Sequence, residues 1–370
     1  GWEFPVYDLG PIGAGESTAI EGFTTDEETA LVYSIMSDAY LQQNNYEKVI
    51  EYHLKKLAIY QKRKDKFAEA IFLNNIGYYY YRSENFQKAR EYFNRSLQIC
   101  KKENLPAGII TNIIDLGALG VLYLKTQQSN EFVENQSGFQ TTVDLVKYGV
   151  DLYSAEEYSV FQREKVQLYN LLGNLYYLKG SFTPDSLQGT LQKNVAAFSN
   201  QIENFAEAEA YYQNALQISS EKNYLLESII LYQNLGHVYV TLHEFRDAYA
   251  YFVRARNMAI RNNYSDLVWR TSGSIAHLLE PFTNEQRQII NSRQDAGFYY
   301  REAIDVLTGI LRKERFHYTT FYANETRRLF ENAIQYFENK DQEFALQLTE
   351  KMRAKEYLDI FSSHKILLKK

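Results

Sequence analysis

Apolar positions recur every three or four residues through most of this chain and seldom alternate. That spacing places them on one stripe of a helix, whereas strict alternation would mark a half-buried strand. The pattern is sharpest from Leu73 to Ile99. Leu73, Ile76, Gly77 and Tyr80 share one stripe, and Phe86, Ala89, Phe93, Leu97 and Ile99 form a second. Polar Ser83-Glu84-Asn85 separates them, so a pair of antiparallel helices with a short turn is predicted. Large and small residues alternate within it: Gly77 and Ala89 mark a close helix crossing, and Tyr80 and Phe93 fill the space beside it. One such hairpin cannot cover both its faces, so neighbours of the same build are expected.

Laid along the chain, the pattern recurs seven times. The first copy pairs 26–43 with 46–62 through Tyr33, Met36, Ser37, Tyr40, Tyr46 and Val49, although His53 and Lys56 replace the large and small residues wanted there. The second is the pattern itself, 68–83 with 86–102. The third aligns Leu116, Leu119, Gly120 and Tyr123, then Thr142, Val146 and Gly149. The fourth has Tyr169, Leu172, Gly173 and Tyr176, then Phe205, Ala208, Tyr212 and Ala215. Tyr232, Leu235, Gly236, Tyr239, Phe245, Ala248, Phe252 and Ala255 make a clean fifth. The sixth starts at Trp269, Ser272 and Gly273 and resumes at Tyr300, Ala303 and Leu307. A divergent seventh uses Leu329, Ala333, Tyr336 and Ala345. Successive small residues of the second helices lie at least 40 apart, and the longer intervals come from insertions at 128–138, 180–203 and 281–297.

The Leu73–Ile99 pattern resembles the tetratricopeptide repeat (TPR), with Ser96 where that family usually has Ala. The 40-residue minimum exceeds the usual 34 and is similar to the long-helix variants. The expected fold is all-α: an α-α superhelix, or TPR solenoid, of about seven helix-turn-helix repeats over 26–361. Residues 1–25, with two Pro and a cluster of Gly at Gly10, Gly13, Gly15 and Gly22, read as an extended or loosely ordered lead-in, and 362–370 as a basic tail. Thr25 before Asp26-Glu27-Glu28 is expected to cap the first helix. Thr283 with Gln286 and Ser154 with Glu157 suggest early helix starts in the sixth and fourth repeats. Asn at Glu103-Asn104, Lys222-Asn223 and Asn262-Asn263 is expected to stop helices, because Asn tolerates the left-handed conformation.

Composition narrows the function classes. Hydrophobic residues make up 45% of the chain, which suits a folded domain. The 32 Tyr and 22 Phe are read as packing spacers. Net charge is −6, yet nine acidic residues and no Lys or Arg precede Lys48, so the remainder is close to neutral. Without a basic stripe, nucleic acid is not expected as a partner. No apolar run approaches 18 residues, so no membrane span is expected. The single cysteine, Cys100, excludes an internal disulfide and reads as a structural thiol. The six His form no metal-ligand pair on one helical face, the glycines mark crossings rather than a phosphate loop, and no cofactor or catalytic constellation emerges. The chain opens on Gly1-Trp2-Glu3 without Met and reads as processed or excised. A cytoplasmic setting is favoured, with export left open.

Function therefore falls to surface. In a TPR superhelix the first (A) helices line the concave groove, and the resemblance assigns Asn74, Asn75, Tyr78, Tyr81 and Arg82 to it in the second repeat. The fourth contributes Asn170, Asn174 and Tyr177; the fifth Gln233, Asn234 and His237; the sixth Arg270, Ser274 and His277. Asn and Gln can bond the amides of an extended peptide, and Tyr adds flat contact area; the alternative is that some of them bond only to neighbouring repeats. The Lys-rich clamp that some members use for a C-terminal carboxylate is not apparent. Glu343–Phe361 resembles the last helix of bacterial TPR arrays that precede a CHAT (caspase-like) protease module, through Glu350, Arg353, Lys355, Leu358 and Asp359. Three functions follow: a non-catalytic scaffold for a protein or peptide, serving a CHAT-type protease; a bacterial peptide-sensing TPR receptor; or an enzyme with its site on the insertions.

Overall fold

The computed structural model describes residues 25–126, 136–181, 191–313 and 320–353. Regular structure among them is helical. The first four helices are α1 (Asp26–Gln42), α2 (Tyr46–Lys62), α3 (Lys66–Arg82) and α4 (Phe86–Lys102). Next come α5 (Pro106–Thr126), α6 (Gln136–Asp151), α7 (Gln162–Ser181) and α8 (Leu191–Glu221). The sequence continues with α9 (Leu225–Thr241), α10 (Phe245–Arg261), α11 (Ser265–Leu279), the short α12 (Asn284–Ile289), α13 (Ala296–Lys313), α14 (Thr320–Phe337) and α15 (342–353).

Helices α1 to α4, α9 and α10 all have seventeen residues. Three-residue turns join them, so helix starts at 26, 66 and 106, and again at 225 and 265, keep a 40-residue frame. This frame is the physical origin of the minimum spacing. Each turn places its middle residue in the left-handed region, as in Asn44 (φ 54°), Lys64 (φ 58°), Glu84 (φ 61°) and Asn104 (φ 51°). The amide of that residue and the next then close back on the helix: Asn44 N donates to Leu41 O at 2.9 Å and Asn45 N to Tyr40 O at 3.0 Å. These bonds satisfy carbonyls that a helix end leaves open. Asn104, Asn223 (φ 57°) and Asn263 (φ 58°) are such stops, as expected. Thr25 forms a capping box with Glu28.

Two expected early helix starts do not occur. Ser154 ends a short 3-10 turn and gives its hydroxyl to the Asp151 carbonyl, and α7 begins only at Gln162. Thr283 and Gln286 do form a capping box, but it heads the separate six-residue α12 rather than extending α13. In the second insertion, α8 reaches back to Leu191, so helix occupies part of 180–203.

Packing also corrects two registers. Gly77 lies against Phe93, where a Cβ would meet the ring at 2.7 Å. The equivalent contact in the third repeat is Gly117 against Val146 (2.9 Å), while Gly120 meets Thr142 one turn later. In the sixth repeat the fully buried crossing residue is Ala276, and Gly273 instead faces Leu329 of α14.

The chain divides into two compact units, Gly1–Leu116 and Gly117–Lys370. The first holds core clusters around Tyr40, Val49 and Tyr52 and around Leu57, Leu73 and Ile76. The second has one around Ala208, Tyr212 and Leu235 and another around Phe252, Tyr300 and Leu307. Helix α5 departs from the reading that no stretch approaches membrane-spanning composition. Pro106–Lys125 is long and apolar enough by length and composition, with a mean hydropathy of 1.7. It earns that score as a core helix: Ile109, Ile110, Ile113, Leu116, Leu119, Val121 and Leu124 are buried, and Asn112 and Asp115 interrupt the run.

Candidate binding face

In the first unit α1, α3 and the start of α5 are the A helices. Leu31 and Ile71 lie 40 residues apart, as do Ile35 and Asn75, so they take the same places on successive helices. Leu31, Ile35, Phe67, Ile71 and Tyr78 each leave more than a third of their surface in water. Tyr78 accepts a hydrogen bond from Arg82 Nη1 at 3.0 Å. The Arg82 guanidinium lies 5.4 Å from the Tyr46 ring centroid and 5.9 Å from that of Tyr78, a cation–π arrangement that orients both rings. Tyr81 is half-buried against Phe86, with centroids 6.1 Å apart, and burial raises its phenol pKa.

Asn74 turns inward. Its Nδ2 donates to Asp115 Oδ2 at 2.7 Å and to Asn112 Oδ1 at 3.2 Å, tying α3 to α5. Burial raises the Asp115 carboxyl pKa, and the Asn74 bond opposes that rise. The Asn75 side chain, one residue on, makes no hydrogen bond to the described residues and borders a cavity between α3, α4 and α5.

In the second unit the A helices α7, α9 and α11 bring the predicted amides together. Asn234 Nδ2 donates to Asn170 Oδ1 at 2.8 Å, and Asn174 Oδ1 accepts from the Tyr212 hydroxyl at 2.8 Å. The Tyr177 and Thr241 hydroxyls lie 3.4 Å apart, again linking α7 to α9. Gln233 is half-buried beside them. His237 Nε2 lies 3.4 Å from Ser274 Oγ, and its ring meets Phe252 edge-on at 4.9 Å. Burial, then the positive charges of Lys125, His277 and Arg328, hold His237 down at about 4. Arg270 pairs with Asp266 (2.8 Å) and with Glu325. His277 is exposed and pairs with Glu280 at 3.5 Å, which raises its pKa.

Sequence reasoning missed several members of these faces. The repeat pattern does not single out Leu31, Ile35, Phe67 or Ile71; the 40-residue match of Leu31 to Ile71 is the signal that could have found that pair. Lys125 lies in the turn by which α5 outruns the seventeen-residue frame. It reaches water, yet surrounding protein and the Arg270 charge lower its ammonium pKa. Arg328 sits in the divergent seventh repeat. Of the C-terminal resemblance, Glu350 and Arg353 lie on α15, whereas Lys355, Leu358 and Asp359 fall outside the described residues.

Comparison with known proteins follows this geometry. The tetratricopeptide repeat family profile matches residues 26–102 and 187–261. No curated protein sequence matches the chain. Among solved structures, the apo form of RapI superposes with a TM-score of 0.56 at 14% identity, covering 91% of this chain and 98% of RapI. A Signal Transduction ATPase with Numerous Domains (STAND) protein with a tetratricopeptide repeat sensor, from Pyrococcus horikoshii, gives 0.53 at 14% identity and covers 92% of this chain. This chain spans only 44% of that protein. At such identity the likeness speaks for fold alone, and fold, 40-residue frame and family profile agree: the chain folds as a tetratricopeptide-repeat array.

Proposed function

We propose that this chain is a scaffold that binds a peptide or protein segment along its A-helix face, the side that lines the groove in TPR arrays. The observation that carries the reading is the first unit's face, where Leu31 and Ile71 stay exposed at matched places on α1 and α3, and Ile35, Phe67 and Tyr78 are exposed on the same two helices. Exposed apolar side chains on successive A helices, beside an amide with spare hydrogen-bonding capacity, are what an extended ligand needs. The amides of the second unit support the face differently: Asn170, Asn174 and Asn234 bond to one another or to Tyr212, so they hold the repeats in register and offer a partner only their remaining valences.

A second reading follows from the STAND protein, whose TPR region is a sensor. There the array would be the sensing or docking part of a longer protein, such as a CHAT-type protease system or a peptide receptor. Both readings place the ligand on the same face.

The test is a partner captured by the full chain and then titrated against variants. Tyr78→Ala and Ile71→Asp, both at exposed positions, are expected to weaken binding at least tenfold with unchanged helicity. Asn234→Ala should lower thermal stability as well as affinity, because it breaks a contact between repeats. Undiminished binding in Tyr78→Ala and Ile71→Asp would remove this face from the account.

A further inference from the structure

A cavity of about 370 Å³ opens between α3, α4 and the first turns of α5. Its walls are apolar: Phe67, Ala70, Ile71, Leu105, Pro106 and Ala107. Its floor is polar by composition but already bonded. Asn112 Nδ2 donates to Gly108 O at 2.7 Å and to Ser96 Oγ at 2.9 Å, and its Oδ1 accepts from Asn74. Ser96 in turn donates to Ala70 O at 2.8 Å. Cys100, buried beside them, has its thiol pKa raised by burial.

This arrangement selects by polarity. A polar group pushed into the cavity would lose water and find the Asn112 and Ser96 groups of the floor already engaged. An apolar group loses nothing of the kind. The volume lies at the low end of ligand sites, roughly 300–1,000 Å³, which suits one side chain rather than a nucleotide-sized cofactor. Half-buried Asn75 also lines it, and its amide offers a donor and an acceptor together, the complement of a peptide backbone unit. We propose that the cavity is an anchor pocket for one large apolar side chain, Leu, Met or Phe, of a bound peptide whose backbone pairs with Asn75. The proposal rests on the peptide-binding reading above and adds to it the chemistry of the residue that docks.

Blocked amino-acid amides provide the probe: N-acetyl methylamides of Leu, Met and Phe, with those of Ser and Asp as controls, titrated into the full chain and followed by saturation-transfer NMR. The apolar amides are expected to bind at millimolar concentration and the controls at least tenfold more weakly. Ala107→Trp and Thr111→Trp, both at exposed lining positions, should each abolish uptake with an unchanged circular dichroism spectrum, and Asn75→Ala should weaken it severalfold. Equal uptake of the Ser amide, or uptake undiminished by both Trp variants, would overturn the proposal. So would a concentration-dependent dimer that Ala107→Trp dissolves, since a second copy would then fill the pocket, or uptake seen only after removal of residues 1–24. If the amides fail while a captured partner still depends on Tyr78, the pocket is rejected and the binding face stands.

Discussion

The ring of Phe252 lies so close to α9 that a Cβ on Gly236 would meet it at 2.5 Å, and Phe93 stands in the same relation to Gly77. Both rings are buried and have no free side to yield toward. Overpacking of this kind costs about 1–3 kcal/mol, against roughly 1 kcal/mol gained from helix propensity. Gly236→Ala is therefore expected to be destabilising by up to about 2 kcal/mol in urea denaturation, although Ala favours a helix elsewhere. His53 shows a different economy of space. It occupies a position where the repeat pattern wants a plain large residue, and its buried ring donates from Nδ1 to Val49 O at 3.0 Å and meets the Tyr79 ring at 4.9 Å. Burial, followed by the nearby Lys56 charge, lowers its pKa to about 4. The unfolded chain then binds more protons than the folded one between pH 4 and the ordinary value of 6.5, so stability is lost as pH falls through that window. The expected contribution is on the order of 3 kcal/mol, and His53→Phe should flatten the slope in thermal melts at pH 4.5 to 7. The sequence marked His53 and Lys56 as departures but could not say that both are buried. Lys56 manages it by reaching the Ser34 hydroxyl at 2.6 Å and lying 4.4 Å from the Phe72 ring centroid.

Helix existence and most pairings were legible because each stripe of large and small residues runs long enough to exclude a strand. Register was less so. Gly117 and Gly120, or Gly273 and Ala276, sit three apart on one stripe, so either can be matched to Gly77. Only the helix start fixes the choice, and three-residue turns fix the start. Those turns also carry a local cost. Lys64, Glu84 and His243 hold the left-handed conformation without being Asn or Gly, a placement that costs an L residue roughly 1–2 kcal/mol. Glu84→Gly and His243→Gly are each expected to raise the melting temperature, corresponding to about 0.5–1 kcal/mol after the entropy of a freer unfolded chain is deducted. The expected early starts failed for two readable reasons: the Thr283 capping box fixes where a helix begins but not how far it runs, and the Ser154 hydroxyl turns back to the Asp151 carbonyl instead of capping a helix.

Within the units, helices α1 to α4 and α6 to α11 pack chiefly on their predecessors and successors, as a repeat array requires. Stability is then a sum of neighbouring interfaces, and damage should stay local. Phe252→Ala, which empties a fully buried site in the second unit, should cost about 3–5 kcal/mol. Hydrogen exchange is expected to show the loss first in α9, α10 and α11, with α7 less affected. The candidate face was only partly legible. Its amides could be named from the repeat pattern, but whether each bonds to a neighbour or points to a ligand depends on partners 38 to 64 residues away, such as Asn112 for Asn74 and Asn170 for Asn234. No single-repeat pattern contains that information.

The left-handed turn that recurs between seventeen-residue helices has an evolutionary consequence. Because the junction after α2, α4 and α10 is built alike, a 40-residue block can be copied or lost without any new connection having to be invented. Residues 66–105 and 225–264 are two such cassettes, each beginning and ending on the same local geometry. Recombination within a gene can therefore lengthen this array in whole steps, and each step adds another A helix whose outward residues are free to diversify while its glycine and aromatic partners keep the joint.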